Sequence, residues 1–499
     1  MSTIRRQSIL SSIVVYLGFV LGFVNTFLFT REGSFSTEEY GLVQAFVAFG
    51  NILASCATLG MPAYISKFFP YYNDRLPPNK NEMLTVALLI ATAGYGVVLL
   101  LGVLFKDVVL QRFDNAPLLQ HYYYWIFPFG YGITVFNILE AYSWHLKLPV
   151  VTNFLKEFVF RLVTTVLIIA STVALLFSFQ GFVPIYSFSY LLIALGLLAW
   201  LLATKRVAFV FSISNVSRRF KKKILLLCTF VWSGGLIFNF AGSFDTIIIT
   251  AVLPNGLAAA GIFSLAQNIS SLIQAPQRAM ISATIGPLSQ SWKDKDLDRI
   301  QRIYQRSSIN MLLFSTAMFS LIWLNFEDGV LTFNLKQEYL SAKTAFFFLG
   351  LAKVIDMGTG VNGQIIATST MWRFDFFSGM ILLGLMFPLS FILTRSLGVE
   401  GPAIANLISF TVYNTVRYTF LYRKHGMQPF NRATVITLLL AAVCFVIPYF
   451  LFRDQLGLAA LFLRSSVFIV LFAAGTTALK LTPDLEPVMQ TVRKRLTRK

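Results

Sequence analysis

Charge is scarce in this 499-residue chain: Asp, Glu, Lys and Arg together make up 13% of it, against ~25% in ordinary soluble domains. With 56% hydrophobic residues and a mean hydropathy of +0.69, that scarcity excludes soluble multidomain enzymes and disordered scaffolds. Cysteine is scarcer still, at three residues. Cys56, Cys228 and Cys444 lie inside apolar runs without zinc spacing, which excludes a disulfide framework and leaves them as small packing residues. No G-x-x-x-x-G-K-[ST] loop is present and no connection is long enough for a further domain, so the chain carries no nucleotide motor of its own. The external loops expected at 31–40, 106–121 and 327–341 are short, with His121 their only histidine. A polymerase or ligase would need more than that outside the membrane.

What is present are runs of about 20 apolar residues, the length that crosses a bilayer. Fourteen are marked, at 9–30, 41–65, 83–105, 122–146, 151–177, 182–203, 224–250, 257–285, 308–326, 342–367, 373–394, 398–421, 433–452 and 457–479. The first is too long for a signal-peptide core and is expected to stay as an anchor. The net charge of +19 supplies an independent check. With a cytoplasmic N-terminus, inside segments collect 28 Lys and Arg and outside loops 6, the bias that positive-inside topology requires. Both termini are then cytoplasmic. The clusters Lys205–Lys223 and VRKRLTRK read as that bias acting at an anionic leaflet. Nucleic-acid binding is not expected beside so many spans.

Shifting the chain by 220 residues against itself brings Gly22, Thr26, Thr30 and Gly41 onto Gly242, Thr246, Thr250 and Gly261, with Asn25 over Asp245. NTFLFT thus lies over DTIIIT. The offset carries span 1 onto span 7 and span 2 onto span 8, a parallel repeat of the kind transporters use. The expected fold class is an all-α integral membrane protein of 14 transmembrane helices, with two pseudo-symmetric six-helix lobes plus two C-terminal helices. Its parts are an N-terminal lobe at 1–215, a C-terminal lobe at 216–425, and spans 13–14 with a basic tail at 426–499. Two such lobes rocking about a cleft make a carrier.

The stretch EEYGLVQAFVAFGNILASCATLGMPAYISKFFP (Glu38–Pro70) resembles the signature of bacterial polysaccharide flippases. AAAGIFSLAQNISSLIQAP (Ala258–Pro276) and SFDTIII (Ser243–Ile249) are similar to the corresponding second-lobe helices. The 6 + 6 + 2 layout resembles the polysaccharide-transporter and lipid II flippase branches of the MOP (MATE-like) exporter superfamily. The resemblance implies inner-membrane transport of an undecaprenyl-pyrophosphate-linked oligosaccharide, such as an O-antigen unit for lipopolysaccharide, with a polymerase or other assembly proteins as partners. A multidrug or cation antiporter of the same fold is the alternative, and a membrane polysaccharide polymerase or ligase the second.

A pyrophosphate crossing a low-dielectric region must be met by cations. Seven basic residues fall inside the marked spans: Lys156, Arg161, Arg278, Lys343, Lys353, Arg417 and Arg464. Lys343, Arg417 and Arg464 lie near helix ends, where they are expected to snorkel to headgroups. Arg278, beside the helix-breaking Pro276, is the leading candidate for gripping phosphate. Lys353 and Asp356 share a helix face, either as a closed ion pair or as cargo contacts. Lys156 and Arg161, at the inner end of span 5, complete the candidate cavity set. Glu157 is placed to neutralise Arg161, and Glu140 to pair with a span 5 cation. Asp245, Asn25 and Glu140 are the gating or ion-coupling candidates, the first two at matching depths. An acid there either takes up a proton or sodium ion or caps neighbouring polar groups. No metal or organic cofactor is expected.

Overall fold

A computed structural model describes residues 3–77, 80–453 and 455–484, leaving aside the side chains of 3–9, 11–12, 238, 279 and 372. The basic side chains of Arg5 and Arg6 and the VRKRLTRK run lie outside the described set. The chain is helical and divides into two compact units, Met1–Ser264 and Leu265–Lys499. The first holds α1 (Thr3–Thr30), α2 (Thr37–Ala57), α3 (Met61–Asn73), α4 (Met83–Leu104), α5 (Lys106–Leu110), α6 (Pro117–His121), α7 (Ile126–His145), α8 (Pro149–Asn153), α9 (Phe160–Thr172), α10 (Phe179–Ala203) and α11 (Asn215–Val252). The dividing line falls within α12 (Gly256–Ser271). The second unit continues through α13 (Gln277–Asp294), α14 (Leu297–Thr332), α15 (Ala342–Gly358), α16 (Asn362–Ala367), α17 (Trp372–Leu397), α18 (Glu400–His425), α19 (Arg432–Leu451) and α20 (Leu458–Ala478).

Among the described residues, ten helices are long and apolar enough to cross a membrane: α1, α2, α4, α10, α11, α12, α14, α17, α19 and α20. The other four marked segments are also helical, but each carries ionisable residues, and two are interrupted. Segment 151–177 passes from α8 through a π-turn at Phe154–Val159 into α9. Segment 342–367 breaks between α15 and α16 at Gly360, where φ is +68°. Local chemistry sets several of these boundaries. Ser36 and Glu39 form a reciprocal capping box that starts α2, satisfying two otherwise orphaned backbone donors. Gly60, at φ +75°, turns the chain into α3, with Pro62 in its first turn.

The repeat seen in the sequence is visible in local geometry. Thr30 donates to the Thr26 carbonyl at 2.9 Å, and Thr250 donates to the Thr246 carbonyl at 2.8 Å. Asn25 and Asp245 are both buried. Gly41 and Gly261 touch each other where α2 crosses α12. A Cβ on Gly41 would stand 1.7 Å from the Leu257 carbonyl oxygen, and one on Gly261 would stand 2.6 Å from that of Thr37. Leu257 is Thr37 carried forward by the same 220-residue offset, so the crossing is reciprocal. Small residues are what permit such backbone approach between apolar helices. Gly41→Ala should therefore cost about 1–3 kcal/mol. Gly96→Ala in α4 is the control: its Cβ meets nothing within 4 Å, and the change should gain up to about 1 kcal/mol. Melting temperatures in detergent read the difference, and equal shifts would refute the crossing.

Arg417 and Arg464 do not snorkel; both are buried. Arg464 pairs with the buried Asp328 and donates to the Gln455 carbonyl at 2.8 Å. Asp328 also accepts from Thr332 Oγ1 at 2.7 Å and the Gly457 N–H at 2.9 Å, which ties α20 to α14. Arg417 pairs with Asp375, donates to Ser378 Oγ at 3.0 Å and lies 4.0 Å from the Tyr413 ring centre. Near the bilayer interior a charge finds its counter-charge more cheaply than it reaches the headgroups. Arg464→Met alone should cost about 3–5 kcal/mol by stranding Asp328, and adding Asp328→Leu should recover most of it. Thermal unfolding of both variants checks this, and a double variant no better than the single would overturn the assignment.

Outside the spans, Glu82 pins the start of α11 to the start of α4. The residue is fully buried, and its Oε1 accepts from the Ser214 N–H at 2.9 Å, Ser214 Oγ at 2.5 Å and Ser217 Oγ at 2.7 Å. Burial raises the pKa of its carboxyl, but the Ser214 and Ser217 donors outweigh burial and hold it below the ordinary value. A depressed folded-state pKa means that this stabilisation is complete above about pH 4.5 and is lost as pH falls through the lower folded value. Glu82→Gln should flatten the acid side of the stability profile while lowering the plateau at neutral pH. A variant profile parallel to wild type would argue otherwise.

Candidate functional site

In the first unit the candidate residues form two groups. Arg161 leans across α1, donating to the Gly18 carbonyl and pairing with Glu157 at 2.9 Å. A Cβ on Gly22 would stand 2.9 Å from its Nη1, and one on Gly18 would stand 2.6 Å from the Glu157 carbonyl oxygen, so Gly22 makes room for the guanidinium and Gly18 for the π-turn backbone. Asn25 donates to the Arg161 carbonyl at 2.9 Å and accepts from Thr165 Oγ1 at 2.5 Å. Asn25 and Arg161 thus meet, and together they fasten α1 to α9. The π-turn just before Arg161 widens the helix, a feature frequent at functional sites.

The second group is an ion pair beside a pocket. Lys156, from the π-turn, lies 3.1 Å from Glu140 on α7, with their side chains 37% and 10% exposed. Glu140 opens on a pocket of about 350 Å³ that Asn137, Trp144, Trp232 and Asn239 also line. The Trp144 indole N–H donates to Thr152 Oγ1 at 3.1 Å. That of Trp232, on α11, donates to the Ser55 and Cys56 carbonyls at 3.0 and 3.2 Å. Sequence reasoning paired Glu140 with a span 5 cation but missed both tryptophans. In a chain that is 15% aromatic, a Trp on an apolar helix carries no signal until its neighbours are known. Asp245 lies buried on α11, between Ser243 and Thr246.

In the second unit, Asp356 on α15 accepts from Gln277 Nε2 at 3.0 Å, Gln274 Nε2 at 3.4 Å and Asn414 Nδ2 at 3.1 Å. Asn414 continues the network to Thr359 and Asn362, each at 2.9 Å. Lys353 places its ammonium 5.4 Å from the centre of the Phe410 ring. Asp356 and Lys353 thus share a helix, one set among amides and the other over an aromatic ring. Arg278 is exposed, in the first turn of α13, just past the 3₁₀ turn Leu272–Gln274 and Pro276. The apolar stretch Gly256–Gln274 ends before it. Among the described residues Arg278 has no ion-pair partner. None of the His, Cys, Asp and Glu side chains among them is grouped to hold a metal ion.

This arrangement has known counterparts. Residues 4–292 match the family model described as "Polysaccharide biosynthesis protein". Among solved structures the chain is similar to a lipid II flippase MurJ in an inward closed conformation, at TM-score 0.73 and 13% identity, over 94% of this chain and 98% of that one. It is also similar to an inward-facing multidrug resistance MATE family transporter of the MOP superfamily, at TM-score 0.61 and 16% identity, over 81% and 93%. No curated protein matches. With apolar spans throughout, a MurJ- and MATE-like fold and a family match over more than half its length, the chain is a multi-pass membrane protein that belongs to the polysaccharide biosynthesis protein family.

Proposed function

We propose that the protein is a flippase, carrying an undecaprenyl-pyrophosphate-linked oligosaccharide across the bacterial inner membrane by alternating access to supply cell-surface polysaccharide synthesis. The family match carries this reading, because it covers residues 4–292, from α1 into α13. The MurJ-like fold supports it. In this reading the ten apolar helices and the four charged or interrupted segments make fourteen spans with both termini cytoplasmic. The lobes are 1–215 and 216–425, with 426–499 appended, and a polymerase or other assembly proteins take up the product.

Arg278 is the residue assigned to the pyrophosphate. An exposed guanidinium at the inner end of a span is free to grip two phosphate oxygens side by side as the headgroup enters. Lys156 is a second cation at hand, and Arg161 positions α1 against α9. Asp245 and Asp356 are the sites assigned to a coupling proton or sodium ion. The Asp356 carboxylate, surrounded by three amides, is also what favours the second reading, a cation antiporter of the MATE type.

Binding to the full chain in nanodiscs separates the two. Undecaprenyl pyrophosphate carrying a sugar should bind more tightly than tetraphenylphosphonium. Arg278→Ala should weaken the lipid by about 1.5–3 kcal/mol, roughly 10- to 150-fold, and abolish surface polysaccharide while the protein still inserts. Tighter binding of the organic cation would promote the antiporter. Wild-type polymer from Arg278→Ala cells would remove this residue from the site.

A further inference from the structure

The pocket beside Glu140 has a lining that ion coupling and phosphate binding do not account for. Its volume of about 350 Å³ lies within the ~300–1,000 Å³ range of small-ligand sites. Both indole N–H groups are spent on the protein, Trp144 on Thr152 and Trp232 on the Ser55 and Cys56 carbonyls. Each ring is thereby fixed, and ring carbon is what it has left to offer a ligand. Trp144 is 54% exposed. The amides of Asn137 and Asn239 line the same pocket, and neither has a side-chain hydrogen bond among the described residues. An amide presents one acceptor and two donors in a plane, a match for neighbouring hydroxyls. Glu140 adds a carboxylate at the wall, but Lys156 at 3.1 Å already answers its charge.

That last contact selects the ligand class. Two indoles and an unanswered carboxylate would make a site for an organic cation. Two indoles, two amides and a carboxylate neutralised by lysine make a site for something polar and uncharged with apolar faces. An acyl chain fits no better, because the amides would lie against hydrocarbon unpaired. We propose that this pocket binds a sugar ring of the transported lipid, stacked on Trp144 and Trp232, with its hydroxyls on Asn137, Asn239 and Glu140. The inference rests on the flippase reading above and adds to it where the protein reads the glycan, as distinct from where it grips phosphate.

The test compares the full chain in nanodiscs binding undecaprenyl pyrophosphate alone with the same lipid bearing one hexose or N-acetylhexosamine, taken from a panel of glucose, galactose and their N-acetylamino forms. Wild type should favour at least one sugar-bearing lipid over the bare one. Trp232→Leu and Asn137→Ala should each erase that preference by about tenfold, the value of one good stacking or hydrogen-bonding contact. Binding of the bare lipid should stay within about twofold, and Trp232→Phe should restore most of the preference. Arg278→Ala, by contrast, should weaken both lipids alike. If neither Trp232→Leu nor Asn137→Ala changes the ratio, or wild type prefers no sugar in the panel, the pocket is not the glycan site and the flippase reading survives. If wild type binds neither lipid, the flippase reading fails and takes the inference with it. Loss of tetraphenylphosphonium binding in the Trp232→Leu variant would make this a cation site and overturn the proposal.

Discussion

A charge placed within a bilayer has to be answered by the protein, because the surrounding hydrocarbon offers nothing. In this chain Arg417 is answered by Asp375 and Arg464 by Asp328 over long sequence distances, and Lys156 by Glu140 from the adjoining helix. Arg161 is answered locally by Glu157 and then by the Gly18 carbonyl. These pairs do structural work by fixing which helix lies beside which. They also define by subtraction what is left for a ligand. Arg278 stands exposed with no ion pair among the described residues, and it alone of the seven basic residues in the marked spans combines exposure with a helix break at its back.

The reciprocal crossing at Gly41 and Gly261 is the other contact that organises the first unit. Its surfaces are backbone atoms, with a carbonyl from each helix facing the glycine of the other. At such a joint the helices meet through backbone, with no side chain on either glycine to hold them apart. It tolerates no enlargement either, since any Cβ displaces a carbonyl. Both properties follow from one residue type at matching positions of the repeat. That gives the echo between the two halves a mechanical meaning beyond common ancestry.

Much of this was legible in the sequence. The apolar runs and the glycine and threonine echo are local or periodic signals, and local periodicity is what a one-dimensional reading detects. Arg417 and Arg464 show where such reading fails. Their position near helix ends suggested snorkelling, but the decisive partners, Asp375 and Asp328, lie 42 and 136 residues away. Nothing in the sequence marks them as neighbours. The pairing of Glu140 with span 5 was legible because the two helices adjoin in the chain. The pocket they border was not, because its far wall comes from Trp232 and Asn239 on α11.

Separate recognition of charge and sugar has a physical logic for a carrier of this kind. A guanidinium on a pyrophosphate contributes the same free energy whatever the glycan, so it can capture the lipid class but cannot tell a finished unit from a bare carrier. Discrimination needs groups that are satisfied by the correct cargo and left unpaired by the wrong one. A buried amide meeting no hydroxyl is penalised far more heavily than a hydrophobic wall meeting a slightly different shape. Neutral amides that a bound sugar would cover have that property, and a cation does not. Neutralising Glu140 with Lys156 extends the principle, because a free carboxylate would repel the incoming pyrophosphate while adding nothing to selection among sugars. The pairing keeps the acceptor oxygens and removes the repulsion.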